Sequence, residues 1–240
     1  MLSLFQPKYK LSELIPENFV DIHNHLLPNI DDGAKNVEET TFLIEKMKTL
    51  NIKNAIATPH TFDGYYNNTK QSIQEAFDLA TSIHENANFI KGFASEYMLD
   101  DSLIKRAEKE SLLCIKDNFI LIELSFLSPP INLFELLFEL KLKDYQIILA
   151  HPERYLYYHN SFKTFQILKD YEIELQVNLL SFTGYYGIEI KKTAEKLLEA
   201  DLLDFCGTDI HNINHINAME TKVKNANKLE EILKKNSFFK

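Results

Sequence analysis

Cysteine is scarce, occurring only at Cys114 and Cys206, and arginine only at Arg106 and Arg154 among 26 basic residues. Two cysteines make at most one disulfide, which a core of 240 residues does not need, so both read as reduced thiols of a cytoplasmic protein. Neither is followed six residues later by arginine, which excludes the C-x5-R loop of thiolate phosphatases. No apolar run of about 18 residues occurs, so no membrane span is expected. Lys8, Lys10, Glu13 and Glu17 interrupt the first apolar positions, so these do not form the core of a secretory signal. With a net charge of −9 and so little arginine, the chain lacks the basic stripe that nucleic-acid binding needs.

What is present is the balance of a globular protein, 45% hydrophobic and 25% charged. Short apolar runs near 19–22, 54–58, 88–94, 119–124, 146–150, 173–177 and 203–206 alternate with helical-period segments. The helices are expected near 36–50, 70–85, 101–110, 132–142, 161–171, 188–200 and 226–235. Asn36 and Asn132, each with Glu three residues on, read as N-caps. Seven strand–helix pairs in series predict an α/β fold with a parallel sheet. Residues 1–18 read as an N-terminal extension and 19–240 as a single domain.

The polar residues fall at the C-terminal ends of the expected strands. His23 and His25 follow the first, His60 the second, Glu96 the third and Glu123 ends the fourth. His151 follows the fifth, Asn178 and Ser181 the sixth, and Asp209 and His211 the seventh. Only a closed barrel brings such residues to one mouth, which favours a distorted seven-stranded, TIM-like barrel.

His23 and His25 are two apart on an extended segment, so both rings can face one cation. Asp31-Asp32-Gly33-Ala34 reads as a turn before the first helix. Glu123, inside Phe119-Ile120-Leu121-Ile122-Glu123-Leu124, needs a cation or an arginine nearby. Arg154 has two readings, a structural pair with Glu153 or Glu123 and a fork for an oxyanion. Five histidines and several carboxylates at one mouth would repel unless divalent cations joined them, and mixed N/O ligation suits Mn, Fe or Zn. His84 at a helix end, and His159 and His215 in loops, read as structural or solvated. The loops holding Tyr65 and Tyr66, and Tyr185 and Tyr186, read equally as groove walls or as loop packing.

Taken in order, Asp21-Ile22-His23-Asn24-His25-Leu26-Leu27-Pro28, Asp31-Asp32-Gly33-Ala34, Thr58-Pro59-His60, Glu96, Glu123, His151-Pro152-Glu153-Arg154-Tyr155 and Asp209-Ile210-His211-Asn212 resemble one family. It is the PHP (polymerase and histidinol phosphatase) superfamily, and within it the metal-dependent protein-tyrosine-phosphatases of bacterial capsule and exopolysaccharide systems. The chain departs from that pattern at Asn24 and Asn29, where the family has Ser and Gly, and in having no arginine after Arg154.

The resemblance implies a PHP-type (β/α)7 barrel with three divalent ions, Mn foremost, with Fe, Zn or Mg as alternatives. His23, His25, Glu96 and Asp209 would hold one ion. Glu96 would bridge to a second, completed by Glu123 and His151, while Asp32, His60 and His211 would hold the third. A metal-bridging hydroxide would attack phosphorus, with Arg154 holding the phosphate and Tyr65 and Tyr66 beside the substrate. The implied substrate is a phosphotyrosine protein, such as the tail of a bacterial tyrosine kinase controlling capsule synthesis. The rival readings are a small-molecule phosphomonoesterase, such as a histidinol phosphatase, and a non-catalytic PHP-like binding module.

Overall fold

The computed structural model describes residues 9–240; residues 1–8 of the expected N-terminal extension lie outside the described residues. In chain order come β1 (Tyr9–Lys10), β2 (Val20–Asp21), α1 (Val37–Thr49), β3 (Asn54–Ala57), β4 (His60–Thr61), α2 (Lys70–Thr81) and α3 (His84–Ala87). Next are β5 (Ile90–Phe93), β6 (Glu96–Met98), α4 (Asp101–Lys109), β7 (Phe119–Glu123), α5 (Leu133–Leu142) and β8 (Gln146–Ala150). The chain closes with α6 (Lys163–Asp170), β9 (Glu174–Asn178), α7 (Ile188–Glu199), β10 (Phe205–Gly207), α8 (Ile213–Ala218), β11 (Lys222–Val223) and α9 (Ala226–Lys235).

The result is an α/β fold built on parallel sheets, as the alternation of strands and helices predicts. The closed seven-stranded barrel is corrected: the ladders stay open. Six strands run β10-β9-β8-β7-β6-β4, three run β2-β3-β5, and β1 pairs antiparallel with β11. The breaks have local causes. Pro59, between β3 and β4, has no N–H to give a ladder, and only its carbonyl is used, accepting from Glu96 N at 3.0 Å. The pairing of β3 with β5 shifts register between Ala55 and Ile56. Between the β2 and β10 segments a single bridge, Asn24 with Ile210, replaces a ladder. There Asp209 N donates to His23 O at 2.7 Å and His25 N to Ile210 O at 3.0 Å.

The helices follow the apolar periodicity closely, with informative exceptions. Asn36 caps α1 as expected, accepting from Glu39 N at 2.9 Å. Asn132 does not cap α5: it sits at φ −96°, ψ 30°, and its amide donates to Asp101 instead. Pro130 O accepts from Leu133 N, so the turn before the helix satisfies the first of its free donors. The expected helix over 70–85 is broken by Ile83, which is extended, so His84 opens the short α3 rather than closing a long helix.

Leu11, Leu14 and Ile15 in the described part of the N-terminal extension are buried against the core. The layer of buried side chains between helices and sheet is almost wholly aliphatic and aromatic. Most of the buried charged groups and imidazoles lie instead on or just past β2, on β6, at the ends of β7 and β8, and just past β10. No helix among the described residues is long and apolar enough to cross a membrane.

Candidate metal centre

All nine carboxylates and imidazoles singled out as ligands converge in one cluster. Four overlapping groups form within it: His25, Asp32, His60 and His211; His23, His25 and Asp209; His23, Glu96 and His151; and His60, Glu96 and Glu123. Glu96 is its centre. Its Oε2 faces His60 Nδ1 at 3.0 Å, His23 Nε2 at 3.2 Å and His25 Nε2 at 3.5 Å, while Oε1 lies 3.0 Å from His151 Nε2. Glu123 meets His60 Nδ1 at 3.0 Å, so the partner its buried setting demands is an imidazole. Asp32 reaches His60 Nε2 at 3.6 Å and His211 Nε2 at 3.4 Å.

The backbone at this mouth is unusual. His151 and Asp209 both take positive φ, 37° and 53°, one and two residues past the ends of their strands. Such conformations cost non-glycine residues of order 1–3 kcal/mol and persist only where the surroundings impose them. They turn both side chains into the cluster. Gly33 is fixed by space: a Cβ there would collide with the carbonyl and Cβ of His25.

Asp209 divides its oxygens between two tasks. Oδ1 faces His23 Nε2 and His25 Nε2, each at 3.3 Å, whereas Oδ2 accepts from Arg154 Nη1 at 2.8 Å and Asn178 Nδ2 at 2.7 Å. Arg154 thus pairs with Asp209, not with Glu153 or Glu123. Its guanidinium lies between two rings, 4.6 Å from the centroid of Phe126 and 4.4 Å from that of Tyr186. A cavity of about 290 Å³ opens above, lined by Asp32, His60, Glu123, His151, Arg154, Asp209 and His211 with Phe126, Tyr186, Asn212 and His215. Tyr66 stacks on His60 beside it at 5.3 Å, whereas Tyr65 is 77% exposed and stacks on Phe62.

The electrostatics are those of a dense, interlocked set. Burial disfavours charge on Glu96, yet His23 and His60 hold its carboxyl well below the usual range. Asp209 is likewise held down, against burial, by His23 and His211. Burial is the largest influence and opposes a proton on His25, but Asp31 and Asp209 together outweigh it and push the ring up to about 10. His60 is raised by Glu96 and Glu123 despite burial. His151 is the exception: burial, helped by Arg154, lowers it. Asp32 is brought down to about 2, against burial, chiefly by His211.

Whether cations fit is answered by the atoms themselves. His23 Nε2, His25 Nε2, His60 Nδ1 and Glu96 Oε2 are buried and mutually close, yet none makes a hydrogen bond. Polar atoms so buried ordinarily have partners. Ring nitrogens and a carboxylate oxygen converging without hydrogen-bond geometry suit shared divalent cations, whose binding would release the protons the rings carry.

Several contributors escape a reading of the sequence. Asp31 does more than make a turn: Oδ1 caps Gly33 N, while Oδ2 accepts from His25 Nδ1 at 2.7 Å and His60 N at 3.1 Å. His215 is not in a solvated loop. It lies on α8 and lines the cavity, its Nδ1 2.9 Å from Asp209 O. His159 is structural, bonding Glu153 O. Gln176 contacts His23; its signal was the alternation of Gln176 and Asn178 with Leu175 and Val177 along β9.

Glu153 is buried beside this centre, accepting from Asn178 N at 3.0 Å and Ser181 Oγ at 2.6 Å. Burial outweighs both bonds and pushes its carboxyl from 4.5 up to about 7. A carboxyl raised on folding stabilises the protein at low pH, and that contribution disappears as pH rises through the folded value. Glu153→Gln should therefore reduce the loss of stability between pH 5 and 8, read by thermal unfolding of the chelated protein. An unchanged pH dependence would show that Glu153 is not its source.

With this geometry in place, comparison with known proteins is decisive. The model of the family described as capsular polysaccharide synthesis, CpsB/CapC, matches residues 19–236. The chain belongs to the CpsB/CapC family. It is 30% identical to the tyrosine-protein phosphatase YwqE of Bacillus subtilis, covering 81% of this chain and 78% of that one. Identity to the putative tyrosine-protein phosphatase CapC of Staphylococcus aureus is 27%, covering 88% and 84%. The tyrosine-protein phosphatase CpsB of Streptococcus pneumoniae is 26% identical, covering 81% and 84%. A crystal structure reported for YwqE and CpsB, described as unique metal-dependent tyrosine phosphatases, superposes with a TM-score of 0.76 at 28% identity, covering 90% of this chain and 86% of that one. The resemblance read from the motifs is thereby borne out at the level of the family.

Proposed function

We propose that this CpsB/CapC protein is a metal-dependent phosphatase that hydrolyses phosphotyrosine on proteins. One observation carries the reading: nine mutually compatible ligand side chains converge in one cluster, and six of them line a single cavity together with Arg154. In the assignment we favour, His23, His25, Glu96 and Asp209 hold one ion, Glu96, Glu123 and His151 a second, and Asp32, His60 and His211 a third. The ions would supply Lewis acidity, neutralising the phosphoryl oxygens and lowering the pKa of water.

The protein's own residues supply the rest. Arg154 presents a planar fork of donors to the non-bridging oxygens, and its stacking between Phe126 and Tyr186 fixes the plane of that fork. The same two rings give the cavity apolar walls suited to an aryl ester. Asp209 braces the guanidinium from below, and Asn178 in turn holds that carboxylate by donating to the same oxygen. Neither thiol takes part: Cys206 is buried, its thiol made harder to ionise by that burial, and no cysteine lines the cavity. We place the enzyme in the cytoplasm, on a tyrosine kinase that governs capsule or exopolysaccharide synthesis.

The test compares a phosphotyrosine peptide with histidinol phosphate, using protein supplied with Mn²⁺. We expect kcat/KM to favour the peptide by at least about tenfold, roughly 1.4 kcal/mol in the barrier. Faster turnover of histidinol phosphate would replace the reading with a small-molecule phosphatase. Metal binding without turnover of either would favour a binding module.

A further inference from the structure

We propose that Gln176 is a positioning residue that fixes a hydrogen of His23 on Nδ1, leaving Nε2 as the nitrogen that faces the cation site. The metal reading above is its premise; the role of Gln176 follows from the hydrogen bonds.

His23 and Gln176 are both fully buried. Gln176 Nε2 donates to Val177 O at 2.8 Å and lies 3.2 Å from Asn178 Oδ1. With the amide nitrogen committed to those oxygens, the end facing His23 is Oε1, 2.7 Å from Nδ1. An amide oxygen only accepts, so Nδ1 must carry the hydrogen. In a neutral ring Nε2 then has a lone pair, and Nε2 is the atom buried without a hydrogen bond between Glu96 Oε2 and Asp209 Oδ1.

The sheet is adapted to this pair. Gly207 on β10 sits where a Cβ would lie 2.5 Å from His23 Cβ and 2.7 Å from Gln176 Nε2. A side chain there would push the amide off its bond. Glycine is required at this position by close approach, not by backbone angle.

The neighbouring ring is held differently. His25 Nδ1 meets the Asp31 carboxylate at 2.7 Å. Outer partners of metal-bound imidazoles both orient the ring and set its basicity. A carboxylate behind His25 and an amide behind His23 make the two rings of one His-x-His pair unequal donors, His25 the stronger.

The experiment uses the full chain and Zn²⁺. In ¹⁵N-histidine spectra of the Zn²⁺-loaded protein, His23 should show a metal-shifted Nε2 and a protonated Nδ1. Chelator competition should give Gln176→Leu a Zn²⁺ affinity roughly 10–100-fold weaker, the usual cost of losing an outer partner. Gln176→Glu, whose neutral carboxyl can accept from His23 Nδ1 and still donate to Val177 O, should bind within a few-fold of the parent; a merely structural role would not give this rescue. A metal-shifted Nδ1 on His23, or folded Gln176→Leu with parental affinity, overturns the proposal. Should Gln176→Leu not fold, the parent spectrum and Gln176→Glu decide. A parent chain that binds no Zn²⁺ overturns the metal reading and this inference together, whereas tight binding indifferent to Gln176 overturns this inference alone.

Discussion

Arg154→Ala should lower kcat/KM for an aryl phosphate by about 10²–10³, the usual effect of removing one preorganised donor to developing oxyanion charge. The expectation rests on how few cations reach the cavity. Arg106, on α4, is committed to Asp63 and Glu110, and no lysine among the described residues lines the cavity. Arg154→Lys should recover only part of the loss, because an ammonium keeps the charge but not the planar fork. Metal content measured on the same preparations separates the two causes of a low rate. A normal rate in Arg154→Ala would remove the arginine from the mechanism, and a low rate with depleted metal would make its role that of bracing Asp209.

Removing the metal should abolish turnover and soften the fold together. A ligand at about 100 times its Kd stabilises the protein by about 2.7 kcal/mol per site. For a chain of this length that corresponds to a rise in Tm of roughly 5–10 °C. Chelation should therefore bring hydrolysis to background and lower Tm, and added Mn²⁺ should restore both. In the stripped chain the rings of His25 and His60 hold protons more firmly than ordinary imidazoles, because Asp31, Glu96 and Glu123 face them. That stabilisation is present at low pH and is lost as pH rises through the raised values. The gap in Tm between loaded and stripped protein should thus widen toward alkaline pH. Turnover that persists after exhaustive chelation would sink the metal mechanism.

Much of this was legible in the sequence, for physical reasons that differ by residue. The helices were readable because Leu43, Ile44 and Met47, or Leu136, Leu137 and Leu140, mark one buried face at helical period. The candidate ligands were readable because charged groups at the ends of apolar strands demand compensation. What pairs across a seam was not readable. Pro59 and the shift at Ala55 and Ile56 decide where a ladder stops, and nothing local says whether seven strands close. Nor could sequence choose the partner of Arg154, since Glu153 and Glu123 lay nearer in the pattern than Asp209, which a positive φ turns toward it. Gln176 was only half legible: its alternation with Leu175 and Val177 marks an inward side chain, but a neutral amide names no task until the ring it faces is in place.

Asp209 has a consequence of a thermodynamic kind. One of its oxygens belongs to the imidazole cluster and the other to the arginine at the cavity floor. A cation that draws charge toward Oδ1 weakens the hold of Oδ2 on Arg154 and frees the guanidinium for an incoming anion. By linkage the effect is mutual: an anion that takes Arg154 leaves Asp209 a better ligand, and each raises the affinity of the other by the same factor. Phosphate, the product, should therefore retain metal in the protein, and the metal-replete enzyme should be the form most inhibited by it.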